Sequence, residues 1–294
     1  VQCKSVLYIK EIYLMTKKLM TLAVATAFTG SAFAADVSLS GAQEWSWNES
    51  NGATTSALDG NFSVKATQEL ENGMSVSADI NIAEDGAGDG SSSLTVSGAF
   101  GKLDLGDTSS AVDAINDVTD WGYVLTNGSG DAPDHAVLYT LPTAIEGLTI
   151  HVSTAADTNY DSNSAGTAYA AQYDFGIAKV GYGLLENDDN TEATIMNVSG
   201  SVGGLGLAYE LYTDTTAAGV DTDNKLISAT YSLGATTFAV ETYEQESAGT
   251  VSSDEITYGI HHDLGSNVVM FAEQTSDDKT PSEDTTAVGI SFKF

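Results

Sequence analysis

The sequence predicts an all-β chain that closes into an antiparallel transmembrane β-barrel, with sixteen candidate strands. Three observations carry this. Apolar and polar residues alternate with period two in sixteen successive segments. The segments are joined by connections that alternate between short and long, which suits tight turns on one side of a membrane and loops on the other. Past the first 34 residues no run of eighteen apolar residues occurs, so helical spans are not expected. A sheet in lipid must close on itself, because an unpaired backbone N–H or C=O finds no water there.

The start of the chain reads as an address. Met15, Thr16, Lys17 and Lys18 form a short positive segment, Leu19 to Phe33 an apolar one, and Ala32-Phe33-Ala34 a small-residue cleavage site. Residues 15–34 are therefore expected to be a signal peptide cut between Ala34 and Ala35. Residues 1–14 are expected to be an upstream segment that is not translated, and 35–294 the barrel. Cys3 lies upstream, so residues 35–294 contain no cysteine and neither a disulfide framework nor a thiolate metal site.

The strands follow in order. The first opens at Val37 and runs to Trp45. Phe62, Val64 and Ala66 then alternate with Ser63, Lys65 and Thr67, and Val76, Ala78, Ile80 and Ile82 with Ser77, Asp79 and Asn81. Leu94 and Val96, Leu103 and Leu105, Val137 and Tyr139, and Leu148, Ile150 and Val152 mark the next four. Tyr169 to Phe175, Ala178 to Leu184, Met196 and Val198, Leu205 to Leu211, and Ile227 to Leu233 follow. Phe238 and Val240, Ile256 to Ile260, and Val269 and Phe271 precede the final run of Val288, Ile290, Phe292 and Phe294. Short connections are expected at 71–73, 100–102, 146–147, 176, 203–204, 234–235 and 264–265. Long polar ones are expected at 84–91, 157–167, 186–192, 213–224, 246–254 and 276–284. One connection, Thr108 to Asp134, is longer than all the others. It carries Asp113, Asp117, Asp120, Asp131 and Asp134 with Trp121 and Tyr123, and Ala111 to Val118 suits a short helical turn. Its aromatics and partial apolar pattern predict an ordered, functional loop.

Charge narrows the partners. The whole sequence contains no arginine, and from Ala35 onward 6 lysines meet 40 acids, a net of −34. Nucleic-acid binding is excluded for want of a basic patch. Such acidity makes a solvated surface and also a field that attracts cations.

These residues resemble the Gram-negative porin family of sixteen-stranded type, more narrowly the porins of α-proteobacteria, over the whole of residues 35–294. Gly98-Ala-Phe-Gly-Lys-Leu-Asp-Leu-Gly-Asp107 resembles the hairpin before the third extracellular loop, and His135 to Tyr139 the strand after it. The resemblance implies that the long loop folds into the lumen as a constriction, with passive diffusion of small hydrophilic solutes and ions through a homotrimer. It implies export by the Sec route to the outer membrane, with the lipid bilayer as surroundings. Ile290, Phe292 and Phe294 would be the signal read by the barrel-assembly machinery. It also implies loop acids facing wall bases. The usual wall arginines are missing here. Lys65 is the candidate inward base and Asp79 stands on the next strand, so the expected constriction is Asp113, Asp117, Asp120, Asp131, Asp134, Lys65 and Asp79, preferring cations.

Two other classes compete. A barrel enzyme would need a positioned base. The histidines are His135, His151, His261 and His262, of which parity turns His151 and His261 to the lumen, but no G-x-S-x-G or H-E-x-x-H occurs, and no enzyme is expected. Gly203 to Gly206 sits between strands and opens no helix, so it is no nucleotide motif. A calcium-binding adhesin could use Asp188 and Asp189, or Asp221 and Asp223. Calcium at these acidic loops is the one cofactor the residues suggest.

Overall fold

The computed structural model describes residues 35–83, 92–116, 118–123, 125, 135–155, 166–279 and 284–294. The first half of the sheet comprises β1 (Asp36–Ser50), β2 (Ala53–Glu69), β3 (Ser75–Ala83), β4 (Ser92–Gly98), β5 (Gly101–Thr108), β6 (His135–Thr140), β7 (Leu148–Ala155) and β8 (Gly166–Asp174). The second half comprises β9 (Ala178–Asn187), β10 (Glu192–Val202), β11 (Leu205–Thr215), β12 (Asp221–Leu233), β13 (Thr236–Ser247), β14 (Thr250–Gly265), β15 (Val268–Asp277) and β16 (Thr285–Lys293). Each strand pairs with its sequence neighbours and β1 pairs with β16, so the sheet is a closed sixteen-stranded antiparallel barrel. The seam runs in register from Ala42 opposite Lys293 to Ser50 opposite Thr285. Gly41 and Phe294 complete it by exchanging two backbone hydrogen bonds of 2.9 Å. Closure leaves no free edge, which is what lipid requires of a sheet.

Alternation places the two faces. Ile80, Tyr169, Tyr182, Leu207, Ile227, Tyr258, Ile260 and Ile290 all point outward and are exposed, the pattern of a wall that meets hydrocarbon. The expected sixteen strands are all present, and the expected helical turn is a single 3-10 turn, η1 (Asp113–Ile115). Residues 1–34, with the expected upstream segment and signal peptide, lie outside the described residues.

The structure corrects two readings. The first strand does not stop at Trp45. It continues to Ser50 and turns back at Asn51-Gly52, both at positive φ (55° and 73°). That is the Asn-Gly pair a two-residue hairpin turn demands. Two of the expected long loops are mostly strand. β11 continues to Thr215 before β12 starts at Asp221, and β13 meets β14 across Ala248-Gly249. Threonine suits a strand, and here it also gives cross-strand bonds, Thr213 to Asp223 at 2.6 Å and Thr215 to Asp221 at 2.9 Å. Phe271 marks its strand as expected, and its side chain faces the lumen. It is 4% exposed and turned inward, while its neighbour Met270 is 51% exposed and turned outward.

A packed apolar cluster lies inside the barrel. Ala111, Val112 and Ile115 of the long loop pack on Leu138, Ala168, Ala170, Leu185, Ala193, Ile195 and Tyr212 of the inner wall. A water-filled lumen would not need these apolar residues. The loop lying over them does.

Candidate functional site

The long loop leaves β5 and crosses the lumen along the inner wall from β7 toward β15, and each step has a partner. Ala111 N–H donates to Ser153 Oγ at 2.7 Å on β7. η1 follows, with Asp113 N–H on Ser110 Oγ at 3.0 Å. Asn197 Nδ2 on β10 then donates to Ile115 C=O at 2.5 Å. The wall is cut to receive this turn. A Cβ on Gly183 would lie 3.1 Å from Val112 Cγ2 and 2.9 Å from Ile195 Cγ2, so glycine lets the loop approach.

Farther along, carboxylates replace hydroxyls. Val118 N–H donates to Glu210 Oε2 at 3.3 Å on β11. Tyr123 N–H and Leu125 N–H donate to the two oxygens of Glu273 on β15, at 2.7 and 2.9 Å. His261 Nε2 sits 3.0 Å from Glu273 Oε1 on the same side as Tyr123 N–H. Glu210 and Glu273 are 0% and 2% exposed. A buried carboxylate needs compensation, and the loop's own backbone donors supply part of it.

The far end of the loop is aromatic. Tyr123 stacks on Phe271 with centroids 4.8 Å apart and planes within 4°, and it meets His261 edge-on at 4.9 Å. Trp121 tilts against His261 at 5.4 Å and lies directly on Gly259, where its ring occupies the space a Cβ would need. Burial first, and then the negative charges of Glu44, Glu273 and Asp263, raise the Tyr123 phenol above its ordinary range, so it stays neutral.

Beside this end the wall continues into β16, β1 and β2. A cavity of 590 Å³ separates Trp121, Gly122 and Tyr123 from Ala42, Glu44, Asp59, Asn61, Ser291 and Lys293 on β1, β2 and β16. The end of the loop thus borders a gap whose adjoining wall carries the carboxylates Glu44 and Asp59.

The expected constriction residues are dispersed. Asp113 opens η1, half-buried, and accepts from Asn116 Nδ2 at 3.2 Å. Asp120 is exposed beside Trp121. Lys65 is exposed and stands opposite Asp79 in the β2–β3 register, and Asp79 accepts from Ser63 Oγ at 2.5 Å. Asp117, Asp131 and Asp134 lie outside the described residues. The acids considered for calcium occupy separate places. Asp188 and Asp189 are in the β9–β10 turn, Asp189 accepting from Thr191 Oγ1 at 2.7 Å, while Asp221 and Asp223 lie on β12. Among the described residues no group of three or more His, Cys, Asp or Glu side chains could hold a metal. Ile290, Phe292 and Phe294 face outward, with the two phenylalanine rings 5.6 Å apart. His151 meets Thr140 Oγ1 at 3.0 Å, and His261 faces the lumen.

Glu44, Asp59, Glu210, Glu273 and Gly259 were not singled out from the sequence. A lone Glu between apolar neighbours, as in Tyr209-Glu210-Leu211, marks an inward polar position. It does not distinguish an acid that binds the loop from one that lines the lumen.

A family model described as Gram-negative porin matches residues 21–282. Among solved structures, a porin refined at 1.8 Å resolution superposes with a TM-score of 0.70 at 19% identity, over 88% of this chain and 100% of that one. A mutant of Rh. blastica porin gives 0.69 at 15% identity, over 88% and 100%. A loop-deletion mutant of OmpT, an outer membrane protein of Vibrio cholerae, gives 0.73 at 16%, over 89% and 100%. At these identities the structural likeness is one of fold. No curated protein matches the chain by sequence.

Proposed function

Because the chain belongs to the Gram-negative porin family, we propose that this outer-membrane barrel is a passive diffusion channel for small hydrophilic solutes and ions that prefers cations. Family and fold point to a channel rather than an enzyme. One observation supports the reading above others: the long loop is fixed to the β7–β15 wall by hydrogen bonds and leaves a 590 Å³ gap against Glu44 and Asp59. A loop held in this way narrows a channel without stopping it. Glu44 and Asp59 at the gap, with Asp79 farther along the same wall, give the field its sign, and Lys65, Lys102 and Lys293 offset it only in part. Asp113 and Asp120 add negative charge from the loop side.

The test is single-channel conductance of the refolded protein in a planar bilayer under a KCl gradient. We expect an ohmic current whose reversal potential lies on the potassium side. Reversal on the chloride side would leave the channel and overturn its cation preference. No current from a correctly folded barrel would overturn both.

The same reading makes the protein a homotrimer, with Ile290, Phe292 and Phe294 presented for assembly. Cross-linking in native membranes should give a three-subunit band, and a monomer alone would rule out the trimer. Phe294→Ala should lower the amount of folded barrel, and an unchanged yield would remove the assembly role.

A further inference from the structure

We propose that the gap between the loop and the β1–β2–β16 wall is a binding subsite for hydrophilic primary-ammonium solutes, with Glu44 and Asp59 receiving the ammonium and Trp121 and Tyr123 flanking the carbon frame. This rests on the channel reading and adds the solute class.

The inner-wall acids fall into two groups. Glu210 and Glu273 are buried and accept hydrogen bonds from loop N–H groups. Glu44 and Asp59 line the cavity, and among the described residues neither is engaged in a hydrogen bond or an ion pair. Their oxygens face a space of 590 Å³, within the usual range for a small-molecule site and ample for a solute the size of a hexose. Among the described residues Lys293 is the one lysine in the lining, so two carboxylates outweigh it. The other side is aromatic. Trp121 has Gly259 behind it and Tyr123 has Phe271 behind it, so both rings are backed by the wall and arrive at the gap already positioned. Carboxylates together with ring faces favour an ammonium group, which the acids bind as charged partners and the rings attract through their π faces. A neutral sugar would stack on the rings and donate hydroxyls to the carboxylates, but it brings no charge to offset them.

Glucosamine and glucose separate these possibilities, since they share a frame and differ by the amine. At about pH 6 glucosamine carries its charge, below the usual range of amines. Added to the channel in a planar bilayer, glucosamine should interrupt the KCl current in a concentration-dependent way while glucose does not. In the Glu44→Gln/Asp59→Asn double variant the apparent affinity should fall by roughly tenfold or more, the weight of a charged hydrogen bond. The single variant Asp59→Asn should fall between the two, which keeps the test in force if the double variant folds poorly. Equal interruption by glucose would overturn the proposal in favour of ring stacking. So would glucosamine interruption that is unchanged in the variants, or a cation-preferring current that glucosamine never interrupts. The last result would leave the channel reading intact, whereas absence of any KCl current would remove the channel reading itself.

Discussion

The two sides of the lumen differ in what their inward residues contact. Where the loop lies against the inner wall, that wall carries Leu138, Leu185, Ile195 and Phe271, and Glu210 and Glu273 are buried on the same side. On β1 to β3 the wall faces the lumen, and its inward positions include Glu44, Asp59, Ser63, Lys65 and Asp79, with the exposed Lys293 beside them on β16. The same period-two strand builds both. Where protein covers it, an inward position can be apolar, and an inward carboxylate becomes an anchor. Where water covers it, the position is polar and a carboxylate sets the field. The position of a residue around the barrel therefore fixes its role as much as its chemistry does.

The strongest way to break this comparison is at Glu273. Replacing it by Ala removes the acceptor of two loop N–H groups and of His261. Charged hydrogen bonds of this kind contribute about 1.5–3 kcal/mol each, so the two loop bonds amount to roughly 3–6 kcal/mol of anchorage. Larger conductance, added gating noise and faster proteolysis within the loop are expected. A current trace like that of the parent would show that the loop is fixed by other means.

A smaller effect is expected at Gly259. Gly259→Val puts a side chain where the Trp121 ring lies, and overpacking of this sort costs about 1–3 kcal/mol. Trp121 should leave the wall, read as a change in its fluorescence maximum together with a shift in conductance. An unchanged spectrum would mean that the ring does not rest there.

On the adjoining wall the comparison predicts a separation of effects. Asp59→Asn should leave thermal stability within about 0.5 kcal/mol, as for exposed sites without structural partners, yet move the reversal potential toward chloride. Loss of stability comparable to that of Glu273→Ala would erase the distinction between the two walls.

The smallest effect concerns pH. The Tyr123 phenol is raised above its ordinary value, so its neutral form is favoured in the native loop. Its contribution is complete below the unfolded phenol's pKa of about 10 and is lost as pH rises through the higher folded value. Gating noise should therefore grow only at strongly alkaline pH, and Tyr123→Phe should abolish that growth. Noise that persists in the variant would assign it to another group.

The barrel was legible because lipid and water impose one rule on every strand. Sixteen segments such as Val76 to Ile82 could be read singly, and their number then gave the sheet. The site was legible only in outline. The long connection and its Trp121 and Tyr123 were visible, but their partners are 92 to 150 residues distant in sequence, at Glu210 and Glu273. Nothing local in Leu207 to Leu211 marks Glu210 as a loop anchor. The inward side chain of Phe271 is hidden for the same reason, since a lumen-facing phenylalanine breaks the rule unless another ring covers it, as Tyr123 does. The Asn51-Gly52 turn, by contrast, was a local signal that could have been read.

The seam also sets the order of events in time. Ala42 opposes Lys293, about 250 residues later, and Gly41 bonds to Phe294. Every other strand pairing can form as soon as two neighbours in sequence are present. This one waits for both extremes of the sheet, and bringing such distant segments together is slow in proportion to the chain between them. Until it forms, β1 and β16 are bare edges, the inner wall does not surround anything, and the loop has nowhere enclosed to lie. A chain arrested one strand short would therefore be an edge-exposed sheet prone to pair with its copies, not a smaller channel.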